Sequence, residues 1–198
     1  MNCKIFDKFD MIKIEEQHLS DTLRSIIHTV AFQRALGLTE PEDVFIEILD
    51  LNYVKCKSKT LDASIETDIE KLISSWKKDK KKILKFIINF KEYVARPGVF
   101  LKNTIEVSSS PWEQWAFSIE IGASDALSND IVGKSLQSLL QTVVETALSN
   151  LNHLPALFSK KEIPPDDPRP WPMEVGSPST PSSEGRYFGF VDNFFKIL

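Results

Sequence analysis

The 198-residue chain has no run of about 18 or more consecutive apolar residues, so a membrane-spanning helix is not expected. Near its start, Lys4, Asp7, Lys8 and Asp10 break up the region where a secretory signal would need an apolar stretch. Cysteine is nearly absent: Cys3 and Cys56 stand far apart, which fits a reducing compartment better than a disulfide framework. Histidine is as scarce, with His18, His28 and His153 scattered and none close in sequence to a cysteine. No Gly-x-Ser-x-Gly, Walker, dinucleotide or metal-ligand spacing occurs. Neither catalysis nor a cofactor or metal is therefore expected. Charge of one sign is missing too, since 28 acids against 24 bases leave −4 and no field to recruit nucleic acid or an anionic membrane. The expectation is a soluble, intracellular, single-domain protein with one well-filled core.

What is present is concentrated between Pro111 and Pro155. Trp115, Phe117, Ile119 and Ile121 share one face of a period-two pattern, with Glu113 at its edge, which predicts a strand. From about Asn129 the period lengthens, and Val132, Leu136, Leu139, Leu140, Val143, Val144, Ala147 and Leu148 predict a long helix that runs until Pro155. At 1.5 Å per residue that helix would be roughly 35 Å long, enough to form the central axis of a small domain. Residues 122–125, Gly-Ala-Ser-Asp, form the turn between the two.

Earlier in the chain, residues 9–14 predict a short first strand. Leu19, Leu23, Ile26, Ile27 and Val30 then predict a first helix ending near Gly37. Residues 44–57 are rich in β-branched and aromatic side chains and predict one long or broken strand, with a bend or bulge at Asp50-Leu51-Asn52. Ile65, Ile69, Leu72, Ile73 and Trp76 give a second amphipathic helix running into lysines, and Leu84, Phe86, Ile88 and Phe90 a third strand. Residues 95–110 are expected to be a long loop. After Pro155 prolines dominate, which excludes regular helix or central strand. The apolar Trp171-Pro172-Met173-Glu174-Val175 and the terminal aromatics are expected to dock, with 177–183 left loose.

Candidate sites follow from these elements. His28 flanks the apolar stripe of the first helix, where a hydrogen-bonded structural or interface histidine is more common than a catalytic one. The lysines at 77, 78, 80, 81, 82 and 85 could hold phosphate or anionic lipid, although a solvated turn is the more ordinary role for such a run. Successive strand positions point to opposite faces, so Trp115 is expected in the core and Trp112 partly exposed. In the 95–110 loop, Val99, Phe100 and Leu101 offer either a projecting recognition tip or packing against the sheet edge. Ser177-Pro178 and Thr180-Pro181 carry the short dipeptide read by proline-directed kinases.

Several motifs fall together. They are the start Met1-Asn2-Cys3; His28-Thr29-Val30 with Arg34 and Gly37; Asp50-Leu51-Asn52-Tyr53-Val54-Lys55; Pro111-Trp112-Glu113-Gln114-Trp115; and Val132-Gly133. Ile163-Pro164-Pro165 followed by Trp171-Pro172-Met173-Glu174-Val175 adds a matching tail. Together they resemble the autophagy-related protein 101 family, HORMA-domain subunits of the autophagy-initiating kinase complex. The resemblance implies an α+β HORMA fold, a mostly antiparallel sheet against three helices, with a core at 1–158 and a partly flexible Pro/Ser-rich C-terminal segment at 159–198. It implies a non-enzymatic adaptor that pairs with the HORMA domain of autophagy-related protein 13, in the cytoplasm and at the phagophore assembly site. It also implies a projecting finger that recruits downstream autophagy factors. Here the corresponding loop reads Arg96-Pro97-Gly98-Val99-Phe100 and lacks the family's tryptophan, so Arg96, Pro97, Val99 and Phe100 are the candidate finger residues. Candidate heterodimer contacts are His28, Lys134 and Gln137, polar positions beside apolar stripes. The alternative is a checkpoint-type HORMA protein that grips a partner peptide under its C-terminal segment. The proline-broken stretch at 164–182 argues against that, because a gripping segment needs to form a strand.

Overall fold

A computed structural model of the chain describes residues 3–35, 39–79, 81–96, 104–122, 128–155 and 171–178. In chain order the elements are β1 (Lys4–Phe6), β2 (Ile12–Ile14), α1 (Leu19–Gln33), β3 (Pro41–Ile46), β4 (Leu51–Cys56), α2 (Lys59–Asp79), β5 (Ile83–Phe90), β6 (Tyr93–Arg96), β7 (Thr104–Val107), β8 (Glu113–Ile121), α3 (Asn129–Ser149) and β9 (Met173–Gly176). Single 3₁₀ turns lie at Glu16–His18 and Glu47–Leu49.

The alternating residues of β8 face the helices, and this strand is the hinge of the sheet. On one side β5 runs antiparallel, setting Phe86 opposite Phe117 and Ile88 opposite Trp115. The first pair stacks at 5.2 Å, the kind of cross-strand aromatic contact that fixes register. On the other side β1 and β2 both pair in parallel with β8, one after the other. Between them Phe9 stacks on Trp115 and Phe117 at 5.7 and 4.7 Å. β9 completes the order β1-β8-β5-β9 by pairing antiparallel with β5. Apart from the two short parallel segments, every ladder is antiparallel.

The central helix is not the one the sequence pattern favours. Seven consecutive residues of α1, Ser25 to Ala31, are buried, so the helix is enclosed on every side, touching α2, α3 and β4. α3 is longer but one-sided, with Val132, Leu136, Leu139, Leu140, Val143 and Ala147 inward and its opposite face exposed. It ends at Ser149, where the Asn150 side chain caps the Thr146 carbonyl at 2.9 Å, rather than at Pro155. A Cβ at Gly133 would lie 2.1 Å from the Leu49 carbonyl oxygen, so only glycine lets the 3₁₀ turn at Glu47–Leu49 rest on α3.

Four other expectations are corrected. The long or broken strand predicted at 44–57 is the hairpin β3–β4, because at the expected bend Asp50 takes a left-handed conformation (φ 47°) and the chain reverses there, a geometry aspartate tolerates. The predicted loop at 95–110 contains the hairpin β6–β7, pairing Tyr93 with Val107 and Arg96 with Thr104. The proline-broken tail does form a strand: β9 occupies the proline-free interval between Pro172 and Pro178, so its ladder amides are intact. The argument from prolines against a strand-forming C-terminal segment therefore fails. Trp112 is also buried, not partly exposed. It precedes β8 instead of alternating within it, and it packs edge-on against Trp171 at 4.9 Å.

Candidate functional site

Four of the residues singled out by motif, Arg34, Trp112, Glu113 and Trp115, converge with His153 at one end of the sheet. Glu113 opens β8 on the same face as Trp115 and is wholly buried. A buried carboxylate is tolerable only with its lone pairs filled, and here they are. Arg34, just past the end of α1, donates from Nε to Oε1 at 2.8 Å and from Nη2 to Oε2 at 2.9 Å. Trp115 Nε1 donates to Oε1 at 2.5 Å, and His153 Nε2 lies 2.6 Å from Oε2. Arg34 Nη1 also donates to the Ala147 carbonyl at 3.3 Å, tying the C-terminal end of α3 to that of α1. Trp112, whose Nε1 donates to the Lys91 carbonyl at 3.2 Å, packs tilted against His153 at 5.6 Å. With both carboxylate oxygens engaged in a two-pronged, charge-assisted arrangement, this cluster locks three elements together. His153 was not foreseen as its member. The one sequence signal was that Glu113 shares the period-two face of Trp115 and so needed partners.

His28 lies two turns back along α1 and is only 2% exposed, so it reaches no surface of the single chain. Its ring stacks on Tyr53 at 6.2 Å, and its Nε2 is 3.9 Å from Asp62 Oδ1, beyond hydrogen-bond reach. Nδ1 has no hydrogen-bond partner, so the expected hydrogen-bonded histidine is not found. Burial pushes its pKa down to about 4 against the opposing pull of the Asp62 carboxylate, which leaves the ring neutral. Burial likewise raises Tyr53 to about 12 and, with help from Glu113, Cys3 to about 11. Cys3 and Cys56 are not joined in a disulfide, and burial disfavours the nucleophilic thiolate at Cys3.

The outer face of α3 is the most accessible of the predicted sites. Lys134 is exposed and bonds Asp130 at 2.8 Å, and Gln137 is exposed one turn on. Ile131, half exposed at 50%, begins this face, and Ile48, at 49%, adjoins the Leu49 carbonyl that rests on Gly133. Arg96 ends β6 in the separate β6–β7 hairpin, which carries the exposed Val94 and Val107. Pro97, Val99 and Phe100 lie outside the described residues. The lysine run lies where α2 turns into β5, and several of its members are already paired: Lys77 with Glu16 at 3.1 Å, Lys81 with Asp79 at 3.0 Å and Lys82 with Glu120 at 2.7 Å. A groove of about 480 Å³ opens beside it, and neither His28 nor Cys56 lines it.

A mostly antiparallel sheet against three helices makes this an α+β fold consistent with a single HORMA-like domain. The chain belongs to the family Autophagy-related protein 101, whose model matches residues 11–161. It is 28% identical over 218 aligned residues to Autophagy-related protein 101 of Arabidopsis thaliana, a match covering 100% of this chain and 96% of that relative. It is thus an autophagy-related protein. Among the described residues no helix is long and apolar enough to cross a membrane.

Proposed function

We propose that the chain is a non-enzymatic adaptor of the autophagy-initiating kinase complex, binding and stabilising the HORMA domain of autophagy-related protein 13 and so supporting autophagosome formation. Its place of action is the cytoplasm and the phagophore assembly site. The HORMA core spans 1–158, and 159–198 forms the C-terminal segment, in which β9 pairs with β5. The observation that carries this reading is the open outer face of α3, where Ile131, Lys134 and Gln137 adjoin the seam at Ile48. A stable pairing would bury on the order of 1,200–2,000 Å² in total, and would raise the folded population of both partners by mass action. Lys134 and Gln137 act as direct contacts, whereas His28 acts from within by supporting β4 and α2. Arg96, Pro97, Val99 and Phe100 contact downstream factors, Phe100 standing in for the missing tryptophan.

The test is co-expression with the HORMA domain of autophagy-related protein 13. The pair Lys134→Glu and Gln137→Glu is expected to reduce capture by about tenfold or more, equivalent to about 1.4 kcal/mol. Unchanged capture overturns the assignment of this face. His28→Ala is expected to reduce capture only in proportion to its loss of folded protein.

A second reading, a checkpoint-type grip on a partner peptide under the C-terminal segment, is favoured by β9 itself, a strand laid on the edge of β5. Trp171→Ala separates the two. It leaves capture through α3 intact on the first reading and abolishes peptide capture on the second.

A further inference from the structure

The groove beside the α2–β5 turn holds two residues from the far end of the chain. Ser177 and Pro178 line it together with Trp76, Leu84, Lys81, Lys82, Lys85 and Asp79. They arrive there because β9 runs antiparallel to β5 and ends with Gly176 opposite Ile87, which delivers the next residue to the lysine end of β5. The turn itself is pinned, since Trp76 Nε1 donates to the Lys81 carbonyl at 2.7 Å. Three lysines line the groove beside one carboxylate, Asp79, which pairs with Lys81, while Lys82 pairs with Glu120. These ammonium groups share the groove with a half-buried hydroxyl directly followed by proline.

We propose that Ser177 is a proline-directed phosphorylation site whose phosphate is held in this groove by Lys81, Lys82 and Lys85, clamping β9 onto the sheet. The kinase transfers the γ-phosphoryl group of ATP: the serine Oγ–P bond forms as the bond to the bridging oxygen breaks. ADP leaves, and the hydroxyl proton passes to the kinase's base. The product carries about −1.5 to −2 charges and three acceptor oxygens, suited to the ammonium donors that line the groove. Modification requires brief release of the end of β9, a four-residue edge strand and so a low-stability unit. Once made, the phosphate opposes further release. Thr180-Pro181 carries the same dipeptide but lies outside the described residues, so the groove distinguishes Ser177 by position rather than by sequence. The inference is independent of any partner of α3.

The experiment uses the full chain. A purified mitogen-activated protein kinase with ATP is expected to place phosphate on Ser177, located by peptide mass analysis, and Ser177→Ala is expected to remove that signal. Phosphate on Thr180 alone overturns the proposal. Phosphoserine introduced at 177 during translation then tests the docking. Its phosphorus NMR titration is expected to show the second ionisation lowered by about half a unit or more relative to an isolated 173–183 peptide. Hydrogen exchange of residues 173–176 is expected to slow several-fold. Lys81→Gln, Lys82→Gln and Lys85→Gln combined are expected to reverse both effects. A titration matching the free peptide, or one unmoved by the lysine changes, overturns it.

Discussion

Arg34 and His28 lie two turns apart on and beside the same helix, 1% and 2% exposed, yet one is charged and the other neutral. Arg34 faces a carboxylate that is itself enclosed, and the two meet in a two-pronged bond. His28 faces Asp62, whose Oδ2 already accepts from Lys55 at 2.6 Å, leaving Oδ1 3.9 Å away. Lys55 thus takes the carboxylate and repels an imidazolium besides. Burial alone does not decide the charge of an enclosed group. What decides it is whether a partner arrives at bonding distance with its charge unspent.

The sharpest way to break this contrast is to remove Glu113. Glu113→Ala leaves a buried guanidinium without its counter-ion and strips Trp115 and His153 of an acceptor, so a loss of about 3–5 kcal/mol is expected in urea unfolding. A loss below about 1 kcal/mol would mean that Arg34 finds other partners, and the locked cluster would lose its standing.

The next effect is on pH dependence. The unfolded histidine titrates near 6.5 and the folded one near 4, so between those values the unfolded state binds more protons. Stability is therefore full above about pH 6.5, falls as pH drops through that window, and for this group stops falling below about pH 4. The shift corresponds to about 3 kcal/mol. Glu66, whose pKa is lowered chiefly by its hydrogen bond to Arg24, also loses stability on acidification. The measurement is thus the difference between the wild type and His28→Leu at pH 7 and pH 4.5. Equal acid sensitivity in both would place the proton elsewhere.

The contrast explains what the sequence could and could not disclose. Period-two and helical spacing located β5, β8 and all three helices, since those patterns are local and set by one apolar face. At Asp50 a bend was legible but the full reversal into a hairpin was not, because a single left-handed residue leaves no periodicity. β9 was hidden because proline content was averaged over 164–182 when only the interval between Pro172 and Pro178 matters. α1 was undervalued because a helix buried all round shows a weaker stripe than a one-sided helix such as α3. At the sites, Trp112, Glu113, Trp115 and Arg34 were visible as motifs, but their meeting with His153 depends on contacts between residues far apart in the chain. The neutrality of His28 depends on where Lys55 spends its charge, which no spacing reveals.

The smallest expected effect sharpens the comparison most. At pH 7 His28 contributes no charge, no hydrogen bond through Nδ1 and only a stacking contact with Tyr53. Replacing a buried polar group that lacks a partner by an apolar one of similar size removes a desolvation penalty while keeping most of the packing. His28→Leu is therefore expected to change stability at pH 7 by less than about 1 kcal/mol, in either direction. This is a fraction of what Glu113→Ala removes from a site of equal burial. A loss of several kcal/mol instead would show that Nε2 and Asp62 are coupled in solution more closely than 3.9 Å implies. His28 would then belong with Arg34 as a residue held by its partner rather than merely enclosed.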